Sequence, residues 1–214
     1  MPYSWYDIMM QASSESIAQS MLKPIHILQE ISRCRHCAAH LPHGPRPVVQ
    51  AGPGARLLIV GQAPGRRVHE TGIPWNDPSG ELLRDWLQVP PARFYDAREI
   101  AIVPAGFCYP GKGRSGDLPP RPECAPRWHA PLLAEMPGIR LTLLIGSYAQ
   151  ALYLGDRRGA TLTDTVARAQ DYLPRYFPLP HPSPRNRYWL ARNPWFGERI
   201  LPLLRGAVAR ALSD

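Results

Sequence analysis

Four cysteines are the residues here with the most chemistry to offer. Cys34 and Cys37 form a C-x-x-C pair, and Cys108 and Cys124 form a second pair with fifteen residues between them. A C-x-x-C in a tight turn can grip a metal centre, and a second pair can complete a four-thiolate set. Zinc and a [4Fe–4S] cluster both suit four thiolates, and spacing alone does not separate them. The plain alternative is a set of unrelated buried thiols. His36, His40 and His43 lie near the first pair; they are either substitute ligands for zinc or solvated loop residues. No charged and then apolar leader opens the chain, so a reducing cytoplasm is expected. There, cysteines serve as ligands more readily than as disulfides.

The elements that must position these thiols follow from the apolar pattern. Residues 56–60 are a continuous apolar run bounded by turn residues, as expected of a strand buried on both faces; 100–103 reads as a second buried strand, and 141–145 and 176–179 as a third and a fourth. Helices are predicted over 22–33, 80–88 (with Ser79 as cap), 123–135, 147–154 and 194–212. Residues 1–21 are polar and lack a period, which marks a loose extension ahead of one domain, 22–214. Strands alternating with helices predict an α/β fold: a three-layer α/β/α sandwich with a central four-stranded parallel sheet. Ligands bind such sheets at the carboxyl ends of the strands. Three unusual loops follow strands, at 61–65, 104–122 and 180–187, so their side chains should converge on one sheet edge.

Composition narrows the partner. The 214 residues carry a formal net charge of +8 and a pI near 9.7. That balance favours a polyanion, most simply nucleic acid. No apolar stretch is long enough for a membrane span.

The loop sequences carry a resemblance. Leu57-Leu-Ile-Val-Gly-Gln-Ala-Pro-Gly65 resembles the first motif of the iron–sulfur (family 4) uracil-DNA glycosylases. Thr71-Gly-Ile-Pro-Trp75 and Ser79-Gly-Glu-Leu-Leu83 are similar to that family's T-G-x-P-F and G-x-L-L segments. The stretch 144–155 is similar to its L-L-G-x-x-A-x-x-x-L-G pattern, and His181-Pro-Ser183 stands at its second active-site motif. The longer string, His181-Pro-Ser-Pro-Arg-Asn186, is closer to the single-strand-selective monofunctional uracil glycosylases. Each motif is weak alone; their shared order over about residues 25–210 makes the likeness specific. It implies an α/β/α sandwich, a structural [4Fe–4S] cluster on Cys34, Cys37, Cys108 and Cys124, DNA as partner, a monomeric enzyme, and hydrolysis of the N-glycosidic bond of a damaged base.

The resemblance also implies roles. A base must leave the duplex before its glycosidic bond can be reached. Trp75 would stack on the flipped base, where the family usually has Phe. In the loop Gln62, Ala63, Pro64 and Gly65, the backbone N–H groups of the three non-proline residues, with His181, would stabilise the anionic leaving base, Pro64 serving to keep the loop tight. Gln62 would also contact base or water through its amide. Ser183 and Arg185 would hold phosphates or fill the vacated site, while Asn186 would cap the next segment. Lys112, Arg114 and Arg121, in the loop between the last two cysteines, would present a basic edge to DNA.

Two departures stand out. The family carries an Asn that reads the uracil edge four residues before the third cysteine; here that position is Pro104, which has no side-chain donor. Asn76 is the candidate substitute. Other branches place a water-activating carboxylate where this chain has Ala63, an absence shared with family 4. Asp77 or Glu81 could orient water, or leaving-group stabilisation could carry the reaction alone. Three functions therefore compete: a monofunctional glycosylase, a nucleic-acid-binding relative without turnover, and a zinc-stabilised protein acting on a small nucleotide.

Overall fold

In the computed structural model, residues 26–114 and 116–213 are described; the extension expected at 1–21 lies outside them. Four strands form one sheet: β1 (Leu57–Val60), β2 (Ile100–Ile102), β3 (Leu141–Ile145) and β4 (Tyr176–Leu179), in the order β2-β1-β3-β4. Every pairing is parallel, with Val60 opposite Leu144 and Ile145 opposite Leu179, so the carboxyl ends are aligned.

The strands are almost wholly apolar, with Thr142 in β3 the polar exception, because both faces are covered. Leu57 and Ile59 face one core with Ile100, Leu143 and Phe177; Leu58 and Val60 face the other with Ala101, Val103 and Leu144. Helices α3 (Pro78–Leu87), α7 (Leu162–Ala167) and α9 (Leu201–Leu212) cover the first face through Leu83, Val166 and Leu204. Helices α1 (Ile27–Ser32), α5 (Cys124–Ala134) and α6 (Gly146–Leu154) cover the second through Ile31, Leu132 and Ala149. The result is the expected three-layer α/β/α sandwich. At the edge strand, Gln50 pairs its backbone with Ile102 and donates its side-chain amide to the Ile100 carbonyl at 2.8 Å. That covers an edge otherwise open to foreign pairing.

Several boundaries depart from expectation. The cap of α3 is Asp77, whose carboxylate accepts the Gly80 N–H at 2.8 Å; Ser79 lies inside the helix. Pro78 explains the choice, since proline suits the first helical position and leaves the residue before it as cap. The final helix does not run unbroken from 194. A π turn over Phe196–Ile200 precedes α9. Pro202 has no N–H to give the Glu198 carbonyl, so regular helix cannot continue through that point. Four short helices were not expected: α2 (Arg66–Thr71), α4 (Pro91–Phe94), α7 and α8 (Arg187–Arg192).

Candidate active site and cysteine pocket

A cavity of about 430 Å³ opens at the carboxyl edge of the sheet, lined by the loops that follow β1, β2 and β4. Gln62, Ala63, Pro64, Gly65, Trp75, His181, Ser183 and Arg185 all line it. Asn76 does not; its neighbour Asp77 does.

The β1 loop is held by its backbone. Gly61 and Gln62 carbonyls accept N–H groups from Ala105 and Gly106, each at 2.9 Å. The Gln62 amide donates to the Leu118 carbonyl at 3.3 Å, tying the loop to the turn at 111–118. Trp75 adopts a left-handed backbone, φ +54°, uncommon for a bulky residue. Its carbonyl accepts from Arg84 at 3.3 Å and from the Tyr95 hydroxyl at 3.4 Å, which helps to hold that conformation. Two glycines make room for it: a Cβ on Gly80 would collide with the Trp75 carbonyl, and one on Gly61 would meet the indole at 3.0 Å.

The His181 ring lies 5.6 Å from the Trp75 ring, centroid to centroid. Burial pushes the imidazole below its usual range, with Asp77 and Asp117 pulling partly the other way. A neutral imidazole offers one N–H donor without a charge. Asn186 donates to the His181 carbonyl at 2.7 Å, so it braces the histidine loop instead of capping α8. Ser183 accepts the Arg185 N–H at 3.2 Å and caps the short turn at Pro184–Asn186.

The β2 exit has spent its polar groups elsewhere. Buried His129 meets the Pro104 carbonyl through Nε2 at 3.0 Å and the Tyr153 hydroxyl through Nδ1 at 2.9 Å. A carbonyl can only accept, so Nε2 carries the proton and Tyr153 donates to Nδ1. Pro104 thus brings no side-chain donor to the cavity wall, and one lone pair of its carbonyl is already engaged by His129.

The four cysteines line a second pocket, closed by Leu41, Pro47, Phe107 and Trp128. All four are free thiols. Burial pushes Cys108 up to about 11 and Cys124 up to about 12. The Phe107 N–H points at the Cys124 sulfur, 3.3 Å away, the kind of donor a bound thiolate uses. Among the described residues, no three His, Cys, Asp or Glu side chains gather tightly enough to hold a single metal ion. His36 borders the pocket, whereas His43 stacks on Tyr109 at 5.3 Å. Arg121 is not a free basic edge: it pairs with Glu123 at 2.5 Å, beside Cys37.

Comparison with known proteins decides the family. The profile of the Uracil DNA glycosylase superfamily matches residues 49–205, well over half of the chain. The chain belongs to the uracil-DNA glycosylase superfamily. It is also similar to the Type-4 uracil-DNA glycosylase of Thermotoga maritima, with 26% identity over 170 residues, 78% of this chain and 82% of the relative. The matched span of the superfamily includes all three cavity loops, Trp75, His181, and the third and fourth cysteines; Cys34 and Cys37 precede it.

Sequence reasoning missed several residues at this site. Arg84 and Tyr95, which hold Trp75, belong to elements with no chemical motif. His129 and Tyr153 are far apart in sequence, and only the fold joins them. Asp117 lines the cavity from a loop with no period or motif to single it out.

Proposed function

We propose that this protein is a monofunctional DNA glycosylase that hydrolyses the N-glycosidic bond of uracil or another deaminated base. The observation that carries the reading is the convergence of Gln62, Trp75 and His181 on one base-sized cavity. Lys23 and Lys112 are the only lysines, and neither belongs to a recognised motif, so a lysine nucleophile has no candidate there.

The everted base enters the cavity beside the Trp75 indole. His181, neutral and braced by Asn186, donates its N–H to the base oxygen on which negative charge develops. Backbone N–H groups of the tight β1 loop add fixed dipoles toward the same charge. Water adds at the sugar carbon. Arg185 and α8, with exposed Tyr188 under the Arg192 guanidinium at 4.1 Å, face the DNA strand. The enzyme works as a monomer in the cytoplasm, where a reducing medium keeps its thiols available.

Cys34, Cys37, Cys108 and Cys124 would hold a [4Fe–4S] cluster. Four thiols around one water-poor pocket suit it. When bound, the cluster supplies a cross-link between the α1–β1 connection and the loop after β2; hydrolysis needs no electron.

The competing reading, a binding module without turnover, draws on Pro104, whose wall offers no edge reader. Single- and double-stranded oligonucleotides carrying uracil, hypoxanthine or xanthine, treated with protein and then alkali, separate the two. Strand scission at one of these bases is expected. Intact strands on every substrate would defeat the enzyme reading.

A further inference from the structure

The catalytic cavity has no carboxylate on its first loop, because position 63 is Ala. It does have one on the opposite rim. Asp117 lines the cavity from a small hairpin in which Lys112 bridges Asp117, and the Leu118 N–H reaches the Gly111 carbonyl at 2.9 Å. One hydrogen bond aims this carboxylate, and the hairpin that carries it is tied to the β1 loop. Oδ1 accepts a long hydrogen bond from the Tyr109 hydroxyl at 3.4 Å, and that phenol is itself stacked on His43. Oδ2 turns toward the β1 loop and stands 3.6 Å from where a Gly65 side chain would begin. Below the hairpin, the Gln62 amide anchors the Leu118 carbonyl. Asp117 therefore shares the cavity with Gln62, Gly65 and His181, yet remains exposed to solvent.

Depth assigns its partner. Trp75, Ile102 and Pro104 form the less accessible wall, where a flipped base is enclosed. An exposed carboxylate on the cavity rim would meet the sugar and the incoming water instead. There its charge opposes the approach of DNA phosphates, an unfavourable placement on a chain of net charge +8 whose partner is a polyanion. The same charge is favourable beside a sugar that becomes cationic as the base departs. Asp77, the other carboxylate lining the cavity, is held by capping α3 at 2.8 Å, a tighter engagement than the 3.4 Å contact of Asp117 with Tyr109.

We propose that Asp117 holds the attacking water and offsets the positive charge of the sugar in this site. The water oxygen bonds to C1′ as the bond from C1′ to the base nitrogen breaks. That bond's electron pair leaves on the base, whose oxygen meets the His181 N–H. The proton shed by water passes to the Asp117 carboxylate and on to solvent, and the released base takes up a proton from solvent. The inference rests on the glycosylase reading, and adds a residue to it that the sequence motifs do not contain.

Single-turnover base release tests it, using the cluster-loaded protein and whichever base of the panel the wild type removes. Asp117→Asn should slow release by about 100-fold or more, the lower range for a positioned proton acceptor. Its affinity for the same oligonucleotide should be unchanged or tighter, since a repulsive charge is gone. Asp117→Glu should recover part of the rate, and the acid limb of the wild-type pH–rate profile should be absent in Asp117→Asn. Asp117→Ser provides the same readout if the Asn variant folds poorly. An Asn variant within about threefold of wild type, with the acid limb intact, overturns this role and leaves the glycosylase reading standing. A wild type inactive on every base overturns both.

Discussion

The two pockets of this molecule are built on opposite plans from a shared loop. The cavity at the sheet edge is open, and its groups are loop backbone, an imidazole, an indole and carboxylates. The cysteine pocket is small and lined by apolar side chains around four sulfurs. Residues 104–124 serve both: Pro104 and Asp117 face the cavity, while Cys108 and Cys124 face the other way. Recognition of a base needs access and polar groups with unspent valence. A cross-link needs exclusion of water. One loop can meet both demands only if it is pinned from behind, and buried His129 and the thiol pocket do the pinning.

The largest expected effect breaks the closed side. With the proposed cluster in place, Cys124→Ser should abolish its thiolate-to-iron absorbance and destabilise the fold by about 5 kcal/mol or more. Thermal melts should then show a fall of roughly 10–20 °C. A colourless variant that melts with wild type would separate the cluster from the fold.

Gly80→Ala strikes the open side alone. The added methyl collides with the Trp75 carbonyl, so indole and helix must part. We expect a loss of roughly 2–4 kcal/mol in denaturant unfolding, with colour retained. A loss under about 0.5 kcal/mol would mean that Trp75 is not held as described.

The smallest of the three effects probes the seam. Burial lowers His129 to about 4, whereas an unfolded histidine titrates near 6.5. Between those values the unfolded chain binds the additional proton, so stability rises with pH in that window. The contribution is complete above about pH 6.5 and is lost as pH falls toward 4, up to roughly 3 kcal/mol. Denaturant midpoints followed from pH 7 to 4 should show this slope in wild type and a shallower one in His129→Gln. Equal slopes would remove His129 from the account.

The same contrast explains what was legible in the sequence. The strands were plain, because a strand buried on both faces reads as an unbroken apolar run. The open site was largely legible too, since its tight loops demand Gly, Pro and His in fixed order. The short helices α2, α4 and α8 span too few residues to show a period. Helix α7 did leave a signal, the Thr161–Asp164 capping box, which motif reading passed over. Cap choice at Asp77 over Ser79 turned on Pro78 between them. Contacts made only by folding left no trace: His129 on Pro104, Arg84 on Trp75, and Asp117 across from Gly65. Pro104 was legible as a departure, but that its carbonyl engages His129 was not.

The central claim is that the cavity bearing His181 and Trp75 performs base release, while the thiol pocket only supports it. Comparing His181→Ala with wild type on a uracil oligonucleotide, with absorbance and melting recorded on the same samples, tests this most directly. The account predicts a fall of about 100–1,000-fold in the rate of base release, with colour and melting temperature unchanged. An unaltered rate, or a rate lost only together with the colour, would contradict it.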